Sequence, residues 1–152
     1  MRMRKYNLIL ILALICMVVH TNAQDVVSKR TAIINGFMNA LFNEKKDAAF
    51  IVAEFMTLAP NKDFPMDKRI TTIQHLLDTL KSNKFLQKDL TNYKVISYDD
   101  YDKQKALFSD DQDKILVLDI GGKPVVYFYF NEAKITSFYW IKKGKYAFFI
   151  VV

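Results

Sequence analysis

The sequence predicts an α+β domain in which three helices pack on a curved, cone-like antiparallel sheet of five to six strands. Three observations carry this. Residues 114–152 divide at three turn signals into four strand-length runs rich in Val, Ile, Phe and Tyr, the pattern of an antiparallel meander. Ahead of them lie three stretches whose apolar residues recur with helical period. Beyond residue 23 the chain has no cysteine. Disulfides, thiol catalysis and cysteine–zinc sites are therefore excluded there, and a packed core must hold the domain together.

Met1–Ala23 reads as a secretory signal peptide. Arg2, Arg4 and Lys5 form a basic start, and Leu8–Val19 is an apolar stretch too short to span a bilayer. Thr21-Asn22-Ala23 places small residues at the usual positions for cleavage before Gln24. Cys16 follows the bulky Ile15, which disfavours lipoprotein acylation. An uncleaved anchor is also disfavoured. Cleavage leaves residues 24–152 as one domain, secreted or periplasmic, with no stable membrane span. Its formal charge drops from +6 to +3 with the loss of the three basic residues. That excess is too small to imply nucleic acid.

Ser28–Asn43 is the first helix, with Ile33, Ile34, Phe37, Met38 and Leu41 on one stripe. Arg30 falls within that stripe, either snorkelling to the sheet's edge or placing a cation at a pocket mouth. Asp47 is the N-cap of a second helix that buries Ala48, Ile51, Val52 and Phe55 and ends at Leu58-Ala59-Pro60-Asn61. Phe50 lies off that face. Phe64-Pro65-Met66-Asp67 opens a third helix reaching Lys81, with Met66, Ile70, Ile73, Leu76, Leu77 and Leu80 on one side. His75, the only histidine after cleavage, sits opposite them, which argues against acid–base or metal chemistry there. A polar connection with Phe85, Leu86 and Leu90 has room for a short helix. Tyr93–Tyr98 alternates like a first strand, and Lys105–Phe108 is long enough for another. The aspartates at 99–102 and 110–113 lack the glycine and terminal glutamate of a calcium loop and read as solvated turns, so no metal or other cofactor is expected.

The meander strands are Ile115–Ile120, Val125–Phe130, Ile135–Ile141 and Tyr146–Val152. Gly121-Gly122 marks a two-residue hairpin turn, and Asn131-Glu132-Ala133-Lys134 a type I turn. In the register those turns fix, one face carries Leu116, Leu118, Val125, Tyr127, Tyr129, Thr136, Phe138 and Trp140, and the other Ile115, Val117, Asp119, Val126, Phe128 and Phe130. Neither face is polar, so both need covering. Helices can cover one; another layer, a second copy or a ligand must cover the other. Lys123, Lys134, Lys142, Lys143 and Lys145 stand at the turns and discourage edge pairing.

Phe37-Met38-Asn39-Ala40-Leu41-Phe42-Asn43, the opening Asp47-Ala48-Ala49-Phe50, and above all Val125–Phe138 resemble the nuclear-transport-factor-2-like superfamily of cone-shaped domains. In that resemblance Ala133 replaces a glycine common in the late hairpin turn. The cystatin-like alternative, one long helix across a sheet, fits less well because three separate helical patterns are present. The superfamily includes isomerases, dehydratases and epoxide hydrolases as well as members without activity, and a sheet face commonly pairs with a second copy. No catalytic residue transfers by position. The reading is thus a secreted, non-catalytic binding or interaction module that forms a homodimer. The alternative is a small-molecule binder or isomerase-like enzyme whose cone pocket, lined by Tyr127, Tyr129, Phe138 and Trp140 with Arg30 at its mouth, takes a small apolar ligand.

Overall fold

The computed structural model describes residues 24–152; the predicted signal peptide lies outside them. The fold is α+β, with helices first and antiparallel sheet after. Helix α1 (24–38) runs into a single π turn, Asn39–Asn43, closed by the Glu44 N–H on the Asn39 carbonyl at 3.1 Å. Then come α2 (Ala48–Phe55), α3 (Met66–Lys81) and α4 (Lys84–Asp89). Asp47 caps α2 by accepting the Phe50 N–H at 2.9 Å, and Asn83 caps α4 through Phe85 and Leu86. The fourth helix is short and occupies the polar connection. Gly36 lets α1 and α2 approach closely: a Cβ there would lie 2.8 Å from the Phe55 ring.

Strands β1 (Lys94–Ser97), β2 (Ile115–Ile120), β3 (Lys123–Asn131) and β4 (Lys134–Ser137) form one sheet in the order β1-β2-β3-β4. Strands β5 (Trp140–Lys143) and β6 (Tyr146–Phe149) form a separate hairpin. The meander therefore breaks after β4. Ser137 makes the break by donating to the Ile150 carbonyl at 2.6 Å and accepting the Tyr139 N–H. The edge of β4 is closed by the end of α2, where the Thr57 N–H reaches the Ile135 carbonyl at 2.9 Å.

Two bulges reset the faces expected from a regular ladder. Across the Gly121-Gly122 turn Asp119 pairs with Pro124, but Leu118 pairs with Val126, so Val125 is extra. A second shift, between Tyr129 and Phe130, makes Thr136 extra on β4. One added residue turns every later side chain to the opposite face. Leu116 and Leu118 consequently share a face with Val126, Phe128 and Phe130, and Tyr127 and Tyr129 share theirs with Ile115 and Val117. The β3–β4 turn also differs from type I. Glu132 takes φ +52°, a left-handed conformation at the first central position, where type I needs φ near −60°.

The helical layer covers one face. Ile34, Phe37, Ile51, Ile73 and Leu77 pack there against Leu116, Leu118, Phe128 and Phe130. Met66, at the first position of α3, is exposed rather than buried with that stripe, as is Phe50 on α2. The opposite face is covered by the chain itself. The segment 98–114 and the β5–β6 hairpin fold over it and bury Tyr98, Tyr101, Phe108, Tyr127, Ala147 and Phe149. All six residues of β2 are buried between these two cores. The second layer left open by the sequence is thus supplied within one chain. Among the described residues no helix is long and apolar enough to cross a membrane.

Candidate functional site

The second core is the chemically richer one. Phe108 is its hub: its ring stacks on Phe149 at 4.5 Å between centroids and meets Tyr127 at 5.0 Å, Trp140 at 5.7 Å and Tyr98 at 6.0 Å. Backbone bonds fasten its segment to β6, with the Ala147 N–H on the Leu107 carbonyl at 2.7 Å and the Ser109 N–H on the Ala147 carbonyl at 3.3 Å. Two tyrosines hold Ala106. The Ala106 N–H donates to the Tyr127 hydroxyl at 3.0 Å, and the Tyr98 hydroxyl donates to the Ala106 carbonyl at 2.8 Å. A phenol is suited to this, being flat enough to pack and polar at one end.

Between this segment and the hairpin opens a cleft of 420 Å³. Tyr127 and Trp140 form an edge-to-face corner, 5.8 Å apart at 88°. Ala106, Leu107, Pro124 and Ala147 complete its apolar lining, and Gln104, Lys105, Lys142 and Lys145 its polar lining. The lining contains no carboxylate and no histidine. Burial pushes the Tyr127 phenol above its ordinary value, opposed by the Ala106 N–H, so it stays protonated near neutral pH. Lys105 is fixed in place, with its Nζ donating to the Tyr98 carbonyl and lying 4.0 Å from the centre of the Tyr98 ring.

The five residues expected to form one pocket are divided among three places. Tyr127 and Trp140 line the cleft. Tyr129 shares their face but stacks on Phe149 at 5.2 Å, away from the opening. Phe138 lies on the helical side, its ring 5.5 Å from Phe37, because the second bulge turned it there. Arg30 is a clamp. Its Nη1 donates to the Asp113 carbonyl at 2.8 Å, its Nε to the Glu132 carbonyl at 3.2 Å, and its guanidinium covers the Phe130 ring. Desolvation lowers its pKa, with the Asp113 charge opposing. It lines a different depression, between the start of α1 and the β1 and β2 loops.

Asp119, beside the glycine turn, is not solvated. It is buried, accepting the Tyr101 hydroxyl at 2.8 Å and the Gly122 N–H at 2.9 Å. This pair pins segment 98–114 to the β2–β3 turn. Lys105–Phe108 forms no strand, only the single bridge from Phe108 to Ala147, and the site role of Gln104, Lys105, Ala106 and Phe108 was not expected because they lie among polar residues. Ala106-Leu107-Phe108, an apolar triplet inside a run of aspartates and lysines, is the pattern that points to them. Among the described residues, no three His, Cys, Asp or Glu side chains gather as a metal ion would need. No protein-family model, curated protein or solved structure matches this chain.

Proposed function

We propose that this protein is a secreted, non-catalytic binding module of nuclear-transport-factor-2-like type, and that its site is the Tyr127–Trp140 cleft. The observation that carries this is the aromatic corner standing open within an otherwise closed second core. Its 420 Å³ suits a small planar molecule. Against an isomerase- or dehydratase-like activity stands the lining, which offers no carboxylate or histidine for proton transfer. The superfamily reading rests on the order of elements, helices then antiparallel sheet, and on the Val125–Phe138 hairpin. Secretion rests on Met1–Ala23; the mature protein recovered from its host should begin at Gln24 by mass spectrometry.

The binding reading is tested by NMR. Trp140 is the only tryptophan, so its indole N–H gives a single assigned reporter inside the cleft. Screening planar aromatic compounds, acidic and neutral, should shift that resonance together with the Ala106 and Ala147 amides. A screen that moves none of the three removes the site.

Self-association is the second reading, and the outward side of the β5–β6 hairpin favours it. Tyr139, Ile141 and Tyr146 are each more than two-fifths exposed there. A second copy would bury them through a two-fold contact. Light scattering at micromolar concentration should give twice the chain mass, and Ile141→Glu should halve it. A monomer mass for the parent protein ends this reading.

A further inference from the structure

We infer that the ligand of the Tyr127–Trp140 cleft is a small aromatic acid, its ring in the aromatic corner and its anionic head among Lys105, Lys142 and Lys145. This rests on the binding reading above and specifies the ligand class. Three cations line the opening with no acidic side chain among the lining residues. Among the described residues the ion pairs are Lys29–Asp25, Lys46–Glu44, Lys81–Asp78 and Lys114–Asp111, and none uses a cleft lysine. Three lysines lining one apolar recess, none of them in those ion pairs, give a positive field that favours an anion over a neutral or cationic guest.

Their placement follows from the register. Lys142 pairs with Ala147, whose side chain is buried in the second core, so Lys142 stands on the inward side of the hairpin. Lys105 is held by the Tyr98 carbonyl and ring, so its charge is ordered before any ligand arrives. Lys145 lies 5.0 Å from the centre of the Tyr146 ring at the hairpin tip.

The Tyr127 hydroxyl adds a donor. It accepts the Ala106 N–H, and no described residue accepts its own proton. A buried hydroxyl leaves a donor unused only at a cost, which an incoming carboxylate oxygen would remove. Trp140, edge-on to Tyr127, leaves a corner that a flat ring fills better than a flexible chain.

The experiment is isothermal titration of residues 24–152 with 2-naphthoate and with its neutral counterpart 2-naphthylmethanol, at low and high salt. The acid should bind at least about tenfold more tightly than the alcohol, and the gap should shrink as salt screens the lysines. Lys142→Gln and Lys145→Gln, both at exposed positions, should each weaken the acid several-fold and the alcohol by much less, narrowing the gap between the two. Equal affinity for acid and alcohol would overturn the acid inference while leaving the binding reading intact. Binding of neither overturns both.

Discussion

The two faces of the main sheet are both buried but are covered in different ways. The helical side is closed by regular elements and by side chains with few polar atoms, such as Ile34, Phe37, Ile73, Leu77 and Phe128. The other side is closed by an irregular segment and a detached hairpin. Its members include Tyr98, Tyr101 and Tyr127, each with a hydroxyl bonded to loop backbone or to Asp119. A helix satisfies its own backbone and needs from its neighbours only apolar contact. A buried loop must have its peptide groups met by side chains, and tyrosine does this while still filling space. The cleft lies where that patchwork is incomplete.

The largest expected difference between the two sides appears on truncating their central rings. Phe128→Ala empties a fully buried position where β3 packs on α1 and should cost about 3–5 kcal/mol in global stability. Phe108→Ala removes the hub of the second core. It should first loosen what that ring holds, so hydrogen exchange should rise through residues 98–114 and 140–150 while α1 and α3 stay protected. Equal loss of protection on both sides would show that the two cores unfold as one unit.

An intermediate difference should appear at alkaline pH. Burial holds the Tyr101, Tyr127 and Tyr129 phenols above their ordinary value, and the Asp119 hydrogen bond raises Tyr101 further. On the helical side only Tyr93 is raised. The folded chain therefore keeps protons that the unfolded chain releases above about pH 10. Stability is fully present below that pH and falls as pH rises toward the folded values. Urea midpoints followed by Trp140 fluorescence, which reports the second core, should drop between pH 8 and 11. Tyr101→Phe should lose about 1–3 kcal/mol at pH 8 by depriving buried Asp119 of a donor, yet decline less steeply with pH. A parallel decline would show that this phenol does not carry the alkaline sensitivity.

How much of this was legible in the sequence follows the same division. The helical side was readable because Phe37, Ile51, Ile73 and Leu77 recur with helical spacing and Asp47 marks a cap. The hairpin turn at Gly121-Gly122 was readable because both residues take positive φ. The face assignment was not, since it depended on two bulges. One of them had a marker: Pro124 cannot donate to a ladder and is tolerated in a sheet at edges and bulges. Phe108 was the hardest: Lys105–Phe108 was readable as a short strand, but only the fold shows that Leu107 and Ser109 bond to β6. Tyr127, Tyr129, Phe138 and Trp140 were grouped by a regular strand register, and the bulge in β4 takes Phe138 out of that group. Arg30 was grouped with them from its place on the first helix's apolar stripe, which does not show that its guanidinium is engaged by the Asp113 and Glu132 carbonyls.

The smallest expected effect compares the two turns of the main sheet's central hairpins. The β2–β3 turn uses glycine at both positive-φ positions, whereas the β3–β4 turn places Glu132 at φ +52°. A side chain in the left-handed region costs about 1 kcal/mol relative to glycine, which reaches it without the Cβ clash. Arg30 holds Glu132 through its backbone carbonyl only, and that contact does not depend on the side chain. Glu132→Gly should therefore stabilise the domain, by somewhat less than about 1 kcal/mol because glycine also gains freedom in the unfolded chain. The urea midpoint checks this. A fall would mean that the Glu132 side chain contributes more than its backbone strain costs.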